Sequence, residues 1–329
     1  MDFPGIAIDL STVEDQKKPD PQKLYDLMII GGGPAALTAA VYAARKMIKM
    51  ALITRDFGGQ VKDTSKIENY PGYQTITGQE LVHKFIEHVQ KFDVPIREDG
   101  SITNLTRSND QFQVIHEDGS IFLSRAVIWA TGKRHRLLNV PGEKKLMGRG
   151  VAFCAICDAP FFRDKEVVVA GGGNSGFTAA LDLLKVAKKV TLINRSKGFN
   201  ADEILIQAVK KYNHINLLDN HEIVEIHGTS KVESISVVDR SNSKKLQIRA
   251  DGIFIQIGLD PNTEPIKNIA RLTDYGEMKI DCSCRSNIEG LFGAGDVTTV
   301  PYDQIIISAG EGAKAALAAY DYLVYKGWI

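Results

Sequence analysis

The chain has 329 residues, long enough for about two domains of ordinary size. Its 40 Lys and Arg residues equal its 40 Asp and Glu residues, so no global field attracts it to nucleic acid or to an anionic membrane surface. It has 4 Cys residues, too few for a disulfide scaffold, and no uncharged apolar run of about 18 residues that predicts a membrane span.

The first segment, residues 1–24, mixes acids and lysines. It has no basic start and no long apolar core, so it is neither a signal peptide nor a transit peptide. We interpret it as a polar arm and expect a cytoplasmic protein.

A strand, a glycine-rich turn and a helix follow. Tyr25–Ile30 is a short apolar run, and GGGPAA at Gly31–Ala36 comes directly after it. Apolar residues then recur at helical spacing, at Leu37, Ala40, Val41 and Ala44, before a second strand at Ala51–Thr54. This context is typical of a turn that holds a dinucleotide pyrophosphate on backbone N–H groups at a helix N-terminus.

Strand patterns continue after this unit. Phe112–His116 and Ile121–Leu123 flank Asp118-Gly119 and predict a hairpin. Ala126–Ala130 is a further strand that leads into Thr131 and Gly132.

The same order of elements then recurs. Glu166–Ala170 is a strand, GGGNSG at Gly171–Gly176 is the turn, and Val190–Ile193 is the next strand. The helical face between them is Phe177, Ala180, Leu181 and Leu184. One such fingerprint is a weak signal, but two in matching contexts predict two dinucleotide sites. The alternative is a duplicated fold that has lost one ligand.

The remaining sequence indicates that the chain returns to its first domain. Val232–Val238 and Leu246–Ile257 are β-rich, Leu291–Val297 is predicted as a strand, and Ser308–Tyr325 is predicted as a helix. The segments interrupted by Pro, Gly and polar residues, and therefore predicted as hinges, are 133–141 and 258–265.

We therefore predict an α/β protein with two Rossmann-like dinucleotide-binding domains of three-layer ββα architecture, the second inserted in the first. The first domain is expected at 25–137 and 260–329, and the inserted domain at 138–259.

A dithiol lies between the two fingerprints. Cys154 and Cys157 have the spacing of an easily reduced disulfide, and Asp158 can exchange protons with a thiol. The alternative is a zinc site completed by Cys282 and Cys284, although Cys-x-Cys is tight for two tetrahedral ligands, and no metal is favoured. Those two residues are otherwise expected on a strand, with one side chain packed and the other exposed.

The chain resembles the low-molecular-weight thioredoxin reductases and is also similar to the reductase portion of the alkyl hydroperoxide reductase flavoprotein. The resemblance covers Tyr25 to Tyr325. The motifs that carry it are GGGPAA, Gly58-Gly59-Gln60, the ENYPG run at 68–72, Ala130-Thr131-Gly132 with Arg136, CAICD at 154–158, GGGNSG, GAGD at 293–296 and the YDQI run at 302–305.

This resemblance implies FAD in the first domain, NADH or NADPH in the inserted domain, and a homodimer. Cys157 would face the flavin, Cys154 would attack the partner disulfide, and Asp158 would be the acid/base. The residues implied at FAD are Gly31, Gly33, Pro34, Ala35, Ala36, Gly58, Gly59, Gln60, Asn69, Thr131, Gly132, Asp296, Gln304 and Ile305. Those implied at the nicotinamide nucleotide are Gly171, Gly173, Asn174, Ser175, Gly176, Asn194, Arg195 and Ser196.

The chain departs from the family pattern in the nucleotide pocket. Users of NADPH in this family carry a His-Arg-Arg-x-x-x-Arg run, whereas residues 194–200 read NRSKGFN. Only Arg195 of the three arginines remains, and the acid that would bind an NADH ribose is also missing. NADH, or use of both nucleotides, is favoured over strict NADPH use, and ferredoxin or a deazaflavin is a third possible donor.

Three functions stay open at this stage. The leading one is a thioredoxin-disulfide reductase whose partner is thioredoxin or a glutaredoxin-like protein. The second is an electron-donating flavoprotein of a peroxidase system. The third is a non-catalytic flavin or nucleotide sensor whose cysteines bind zinc or report redox state.

Overall fold

The computed structural model describes residues 17–64 and 66–329. Most of the predicted polar arm, residues 1–16, therefore lies outside the described part of the chain. The described part forms two compact units, the first made of residues up to Lys62, Gly78–Lys133 and Pro261–Ile329, and the second of Asp63–Thr77 and Arg134–Asp260. Both main crossings between the units lie within the segments predicted as hinges. Residues 63–77, which the sequence placed in the first domain, group with the second unit.

Six α-helices lie in the described residues: α1 Pro34–Arg45, α2 Gly78–Gln90, α3 Ala155–Asp158, α4 Asn174–Leu184, α5 Glu203–Lys210 and α6 Ile305–Tyr325. The strands of the first half are β1 Leu24–Ile30, β2 Met50–Thr54, β3 Ile96–Glu98, β4 Ile102–Ser108, β5 Gln111–His116, β6 Ile121–Trp129, β7 Lys133–His135 and β8 Val151–Ala152. Those that follow are β9 Glu166–Ala170, β10 Lys189–Ile193, β11 Ile215–Leu218, β12 His221–His227, β13 Ser234–Asp239, β14 Lys245–Arg249, β15 Gly252–Ile255, β16 Leu259–Pro261 and β17 Leu291–Gly293.

The first unit is built on a seven-stranded sheet of order β3-β2-β1-β6-β5-β4, with β17 also paired to β6. β1 is parallel to both β2 and β6, and Ile29 lies between Leu52 and Ile128. The last four residues of β1 are buried, as expected for a strand inside a parallel sheet that is covered on both faces. β5 and β6 form the predicted antiparallel hairpin.

Helices α1 and α6 pack closely within this unit. A Cβ added to Gly312 of α6 would lie 2.0 Å from the carbonyl oxygen of Ala35 in α1, so only glycine permits the contact. α6 begins at Ile305, three residues before the predicted start, because Gln304 is its extended N-cap residue. The strand predicted at 291–297 was too long: β17 ends at Gly293, and 295–297 is a 3₁₀ turn.

The second unit repeats the parallel arrangement with five strands in the order β11-β10-β9-β15-β8. A separate antiparallel sheet contains β12, β13 and β14. The run predicted as β-rich at 246–257 is thus divided between two sheets, because a break at Ala250 and Asp251 separates β14 from β15. The fold-class prediction is confirmed: each unit has the strand, glycine turn, helix and strand of a Rossmann-like domain.

Cys282 and Cys284 lie in a turn, so their predicted strand was wrong. Cys284 has φ 63° and its backbone N–H donates to the carbonyl oxygen of Asp281, a geometry that no strand allows. The predicted difference in burial is confirmed, since Cys282 is exposed and Cys284 is buried. Among the residues that the structure describes, no helix is both long and apolar enough to span a membrane.

Candidate functional site

The first glycine turn provides an open cradle at the start of α1. Gly31 has φ +129°, and a Cβ there would lie 2.2 Å from the carbonyl oxygen of Ala130, so the strand-to-helix turn excludes any side chain. A Cβ on Gly33, the extended N-cap residue, would meet nothing within 4 Å. No side chain caps α1 and its first turn holds no acid, so the N–H groups face a space suited to a pyrophosphate.

The second turn has the same construction. Gly171 also has φ +129°, and its Cβ would lie 2.1 Å from the carbonyl oxygen of Gln256. Gly173 is the extended N-cap of α4, again without a side-chain cap and with open space beside it. At Gly176 a Cβ would lie 2.0 Å from the carbonyl oxygen of Gly171, which explains glycine where the first copy has Ala36. The residues present fit a dinucleotide at both turns.

Other residues expected at FAD lie within the first unit. Gln60 Nε2 donates to the carbonyl oxygen of Lys133 at 2.9 Å. Thr131 and Asn262 exchange two hydrogen bonds, of 2.9 and 2.8 Å, while Gly132 has φ +65° and open space at its Cβ position. Asn69 differs from the rest of the set because it belongs to the 63–77 segment of the second unit.

A buried acid follows β17. Asp296 accepts a hydrogen bond from Ser308 Oγ at 2.7 Å. Burial, with the nearby charge of Asp303, raises the pKa of Asp296 to about 6. A carboxylate in this place can accept a hydrogen bond from a sugar hydroxyl, as the resemblance implies.

The two central cysteines form a disulfide, with their Cα atoms 5.3 Å apart. Cys154 is the N-cap residue of α3, and its Sγ accepts a hydrogen bond of 3.2 Å from the backbone N–H of Cys157. This donor can support negative charge on Cys154 once the disulfide opens. Ile156, between the cysteines, is 60 % exposed and available to a partner.

Asp158 ends α3 beside the disulfide. Burial raises the pKa of its carboxyl group to about 6. A carboxyl group with this pKa can both take and return a proton near neutral pH, as an acid/base for thiols must.

Two residues around the dithiol were not singled out from the sequence. His135 stacks on the ring of Phe153, with the centroids 4.4 Å apart, and burial lowers its pKa to about 4. Gln256 Nε2 donates to the carbonyl oxygen of Phe153 at 2.7 Å, while the backbone carbonyl oxygen of Gln256 packs against Gly171. Gln256 thereby connects the second glycine turn to the residue before Cys154, a link between distant segments that local sequence patterns do not reveal.

The loop after β10 lies over the second glycine turn. Asn194 Nδ2 donates to the carbonyl oxygens of Ser196 and Gly198 at 3.1 and 2.5 Å, and its side chain occupies the space where a Cβ of Gly172 would be. Arg195, whose side chain is 70 % exposed, forms an ion pair with Glu222 at 3.1 Å. The one arginine that remains of the family run therefore shares its charge with an acid.

Nearby, Asn174 and Asp202 hold each other through two hydrogen bonds, of 3.0 and 2.8 Å. Asn174 is the first residue of α4, and Asp202 is the N-cap residue of α5. The structure thus brings together, in one unit, the residues expected at the nicotinamide nucleotide.

The second cysteine pair has a structural setting. Cys284 Sγ donates to Glu311 Oε2 at 3.0 Å, and burial raises the pKa of this thiol. Within residues 17–64 and 66–329, no group of three or more His, Cys, Asp or Glu side chains is arranged to hold a metal ion.

Two glycine turns and a dithiol define a class of protein that transfers electrons between a dinucleotide and a disulfide. The profile of the family described as "Pyridine nucleotide-disulphide oxidoreductase" matches residues 25–318, and the chain belongs to that family. FAD and a nicotinamide nucleotide, the cofactors expected from the sequence, are those of this family.

Relatives with the two expected names were found. Two of them are alkyl hydroperoxide reductase flavoprotein chains, from Staphylococcus aureus at 38 % identity and from Pseudomonas putida at 41 % identity, over 98 % and 94 % of this chain. The chain spans 64 % and 60 % of those proteins. The crystal structure of thioredoxin reductase from Streptococcus pyogenes has a TM-score of 0.88 and 36 % identity, covering 92 % of this chain and 99 % of that one. The resemblance recognised in the sequence is confirmed.

Proposed function

We propose that the chain is a flavin-dependent disulfide reductase that passes electrons from a reduced nicotinamide nucleotide, through FAD and the Cys154–Cys157 pair, to thioredoxin or a glutaredoxin-like protein. The observation that carries this proposal is the disulfide beside the buried Asp158 in a chain with two open glycine turns. The activity would be that of a thioredoxin-disulfide reductase.

We assign FAD to the first unit and the nicotinamide nucleotide to the second. The N–H groups at the start of α1 would hold the FAD pyrophosphate, and Asp296 would accept from a sugar hydroxyl. The start of α4 and the loop from Asn194 would hold the other nucleotide. When bound, FAD supplies a carrier that accepts a hydride from the nicotinamide and gives two electrons to the disulfide.

The dithiol steps follow from the positions of the side chains. After two electrons open the Cys154–Cys157 bond, Cys154 as a thiolate attacks the partner disulfide and forms a mixed disulfide, releasing one partner thiolate. Cys157 then attacks Cys154, which restores the internal disulfide and releases the second partner thiol. Asp158 takes a proton from the attacking thiol and returns one to the departing thiolate.

A second function is favoured by the alkyl hydroperoxide reductase relatives. The same dithiol would then deliver electrons to the disulfide module of a peroxidase system. Both functions use the same residues up to the exchange step, and they differ in the protein that meets Ile156 and Cys154. For either function we expect a homodimer.

The test is an anaerobic titration of the purified flavoprotein with NADH and then NADPH, followed by coupled assays with thioredoxin and with a peroxidase disulfide module. We expect Cys154→Ser to keep flavin reduction and lose turnover of disulfides, and Cys282→Ser, at an exposed cysteine in the first unit, to keep both. Full turnover by Cys154→Ser would exclude the proposed role of the dithiol. Reduction by neither nucleotide would exclude the nicotinamide role of the second unit.

A further inference from the structure

A buried ammonium group lies next to the residues assigned to FAD. Lys133 directly follows Gly132, and its side chain is only 8 % exposed. Its Nζ atom lies 2.9 Å from Glu277 Oε1 and 3.3 Å from both carboxylate oxygens of Asp303. Burial by itself lowers the pKa of Lys133, but the hydrogen bond to Glu277 and the charge of Asp303 outweigh it and raise the pKa. The side chain therefore stays protonated.

This ion pair is connected to two glutamines that the resemblance assigns to FAD. Gln60 Nε2 donates to the backbone carbonyl oxygen of Lys133 at 2.9 Å. Gln304 Nε2 donates to the backbone carbonyl oxygen of Asp303 at 2.9 Å. The contact between Lys133 and Asp303 spans 170 positions of sequence, so the ammonium group holds together two distant segments that each carry one of these amides.

The charges around Lys133 give it a second effect. Asp303 raises the pKa of Asp296, whereas Lys133 lowers it, so both groups act on the acid assigned to the sugar. Three carboxyl groups, on Glu277, Asp296 and Asp303, therefore share one buried ammonium. Without it, an anionic dinucleotide would meet an excess of negative charge in a partly buried place.

We propose that Lys133 is the positioning residue of the flavin site: its ammonium group, bridging Glu277 and Asp303, fixes Gln60 and Gln304 against the cofactor and offsets the surrounding carboxylates. The inference rests on the FAD site of the proposed function. Since a reduced flavin carries more negative charge than an oxidised one, the same ammonium favours the reduced form.

The experiment compares Lys133→Met and Lys133→Arg with the wild-type protein. For each we would measure the dissociation constant of FAD by equilibrium dialysis of the apoprotein, the flavin midpoint potential by anaerobic spectrophotometric titration, and the chemical denaturation of the apoprotein. We expect Lys133→Met to weaken FAD binding at least about tenfold, because it leaves two carboxylates without their cation, and to make the potential more negative. Lys133→Arg keeps the charge and should restore most of both.

Lys326→Met is the matched control. Lys326 also forms a partly buried ion pair, with Glu289 at 3.0 Å, but it follows the C-terminal end of α6, about 30 Å along the helix from Ile305. It should leave FAD affinity and potential unchanged. If Lys133→Met does not fold, Lys133→Gln takes its place, since its amide can still hydrogen-bond to both acids. That variant should keep part of the affinity and show the negative shift in potential.

The outcomes separate the two proposals. Unchanged FAD affinity and potential in Lys133→Met, or a loss confined to the stability of the apoprotein, would overturn the role of Lys133. An unchanged potential in Lys133→Gln would overturn the electrostatic part. A wild-type apoprotein that does not take up FAD would instead refute the proposed function itself.

Discussion

The two glycine turns share one backbone and differ in the side chains around it. Gly31 and Gly171 have the same φ of +129°, and each would place a Cβ against a carbonyl oxygen. Gly33 and Gly173 are both extended N-cap residues with open space beside them. The turns therefore offer the same anion cradle, and what distinguishes them must come from residues outside the fingerprint.

The difference begins at the second glycine. A Cβ on Gly32 would meet the backbone of Asp56 and the hydroxyl group of Thr54, whereas one on Gly172 would meet the side chain of Asn194. In the first unit the neighbouring loop thus closes with backbone, and in the second it presents an amide and an ion-paired arginine. This teaches that the fingerprint predicts a dinucleotide, while the loop after the second strand selects which one.

The strongest test of the shared backbone is alanine at the first glycine of each turn. Both Gly31→Ala and Gly171→Ala force a Cβ into a carbonyl oxygen at a φ that L-residues rarely adopt, and we expect each to cost about 3 kcal/mol or more. Chemical denaturation with FAD content gives the readout. Gly31→Ala should lose FAD, whereas Gly171→Ala should keep FAD and lose reduction by NADH and NADPH.

Gly33→Ala is the matched control, because its Cβ would meet nothing within 4 Å. The apoprotein should unfold within about 0.5 kcal/mol of the wild type, while FAD binding weakens. If both first-glycine variants bound their nucleotides normally, the equivalence of the two turns would be refuted.

The next test concerns the buried acid of each unit. Asp158 and Asp296 both have a pKa raised to about 6 by burial. We expect Asp158→Asn to slow disulfide exchange about 10²-fold without changing FAD content. Wild-type exchange should rise with pH through about 6, as the carboxyl group becomes able to accept a proton, and this inflection should vanish in the variant. Stopped-flow oxidation of the reduced enzyme by thioredoxin, from about pH 5 to 8, measures both.

The same pKa values predict how stability depends on pH. Because the folded pKa exceeds the ordinary value of 3.8, the folded state binds extra protons between about pH 4 and 6. Each group should therefore reduce stability as the pH rises through that window. Denaturation of Asp158→Asn should show a weaker fall than the wild type, and an identical fall would contradict the burial of this carboxyl group.

A smaller effect is expected from exchanging the third fingerprint residues. Gly176→Ala puts a Cβ 2.0 Å from the carbonyl oxygen of Gly171 and should cost about 1–3 kcal/mol. Ala36→Gly creates no clash and should cost about 1 kcal/mol through helix propensity. Urea denaturation of both variants ranks them, and the opposite order would show that the two helices approach their turns alike.

The smallest effect should come from Arg195, whose side chain is exposed and paired with Glu222. Arg195→Ala should change stability by less than about 0.5 kcal/mol, because exposed ion pairs contribute little. Its kcat/KM for NADPH should fall by about tenfold or less, with little change for NADH. Glu222→Gln frees the arginine and should act in the opposite direction. A large loss with NADH in Arg195→Ala would show that the arginine serves both nucleotides.

Much of the fold followed from local patterns. Strands buried on both faces are continuous apolar runs, so β1 and β9 were placed within one residue, and the hairpin of β5 and β6 followed from Asp118-Gly119. The errors arose where the tertiary structure overrides the pattern. The apolar run at 246–257 crosses from one sheet to another, and small residues after Gly293 form a 3₁₀ turn.

The sequence by itself determined the parts of the site that depend on chain proximity: two glycine turns, each joining a strand to a helix, and the Cys154, Cys157 and Asp158 cluster. These residues are close in sequence, so their spacing predicts their geometry. The tertiary structure alone decided the contacts between distant segments: Lys133 with Glu277 and Asp303, Gln256 with Phe153, and Glu222 with Arg195. It also decided that Asp158 and Asp296 are buried deeply enough to raise their pKa values, because burial and long-range charge depend on how the whole chain packs.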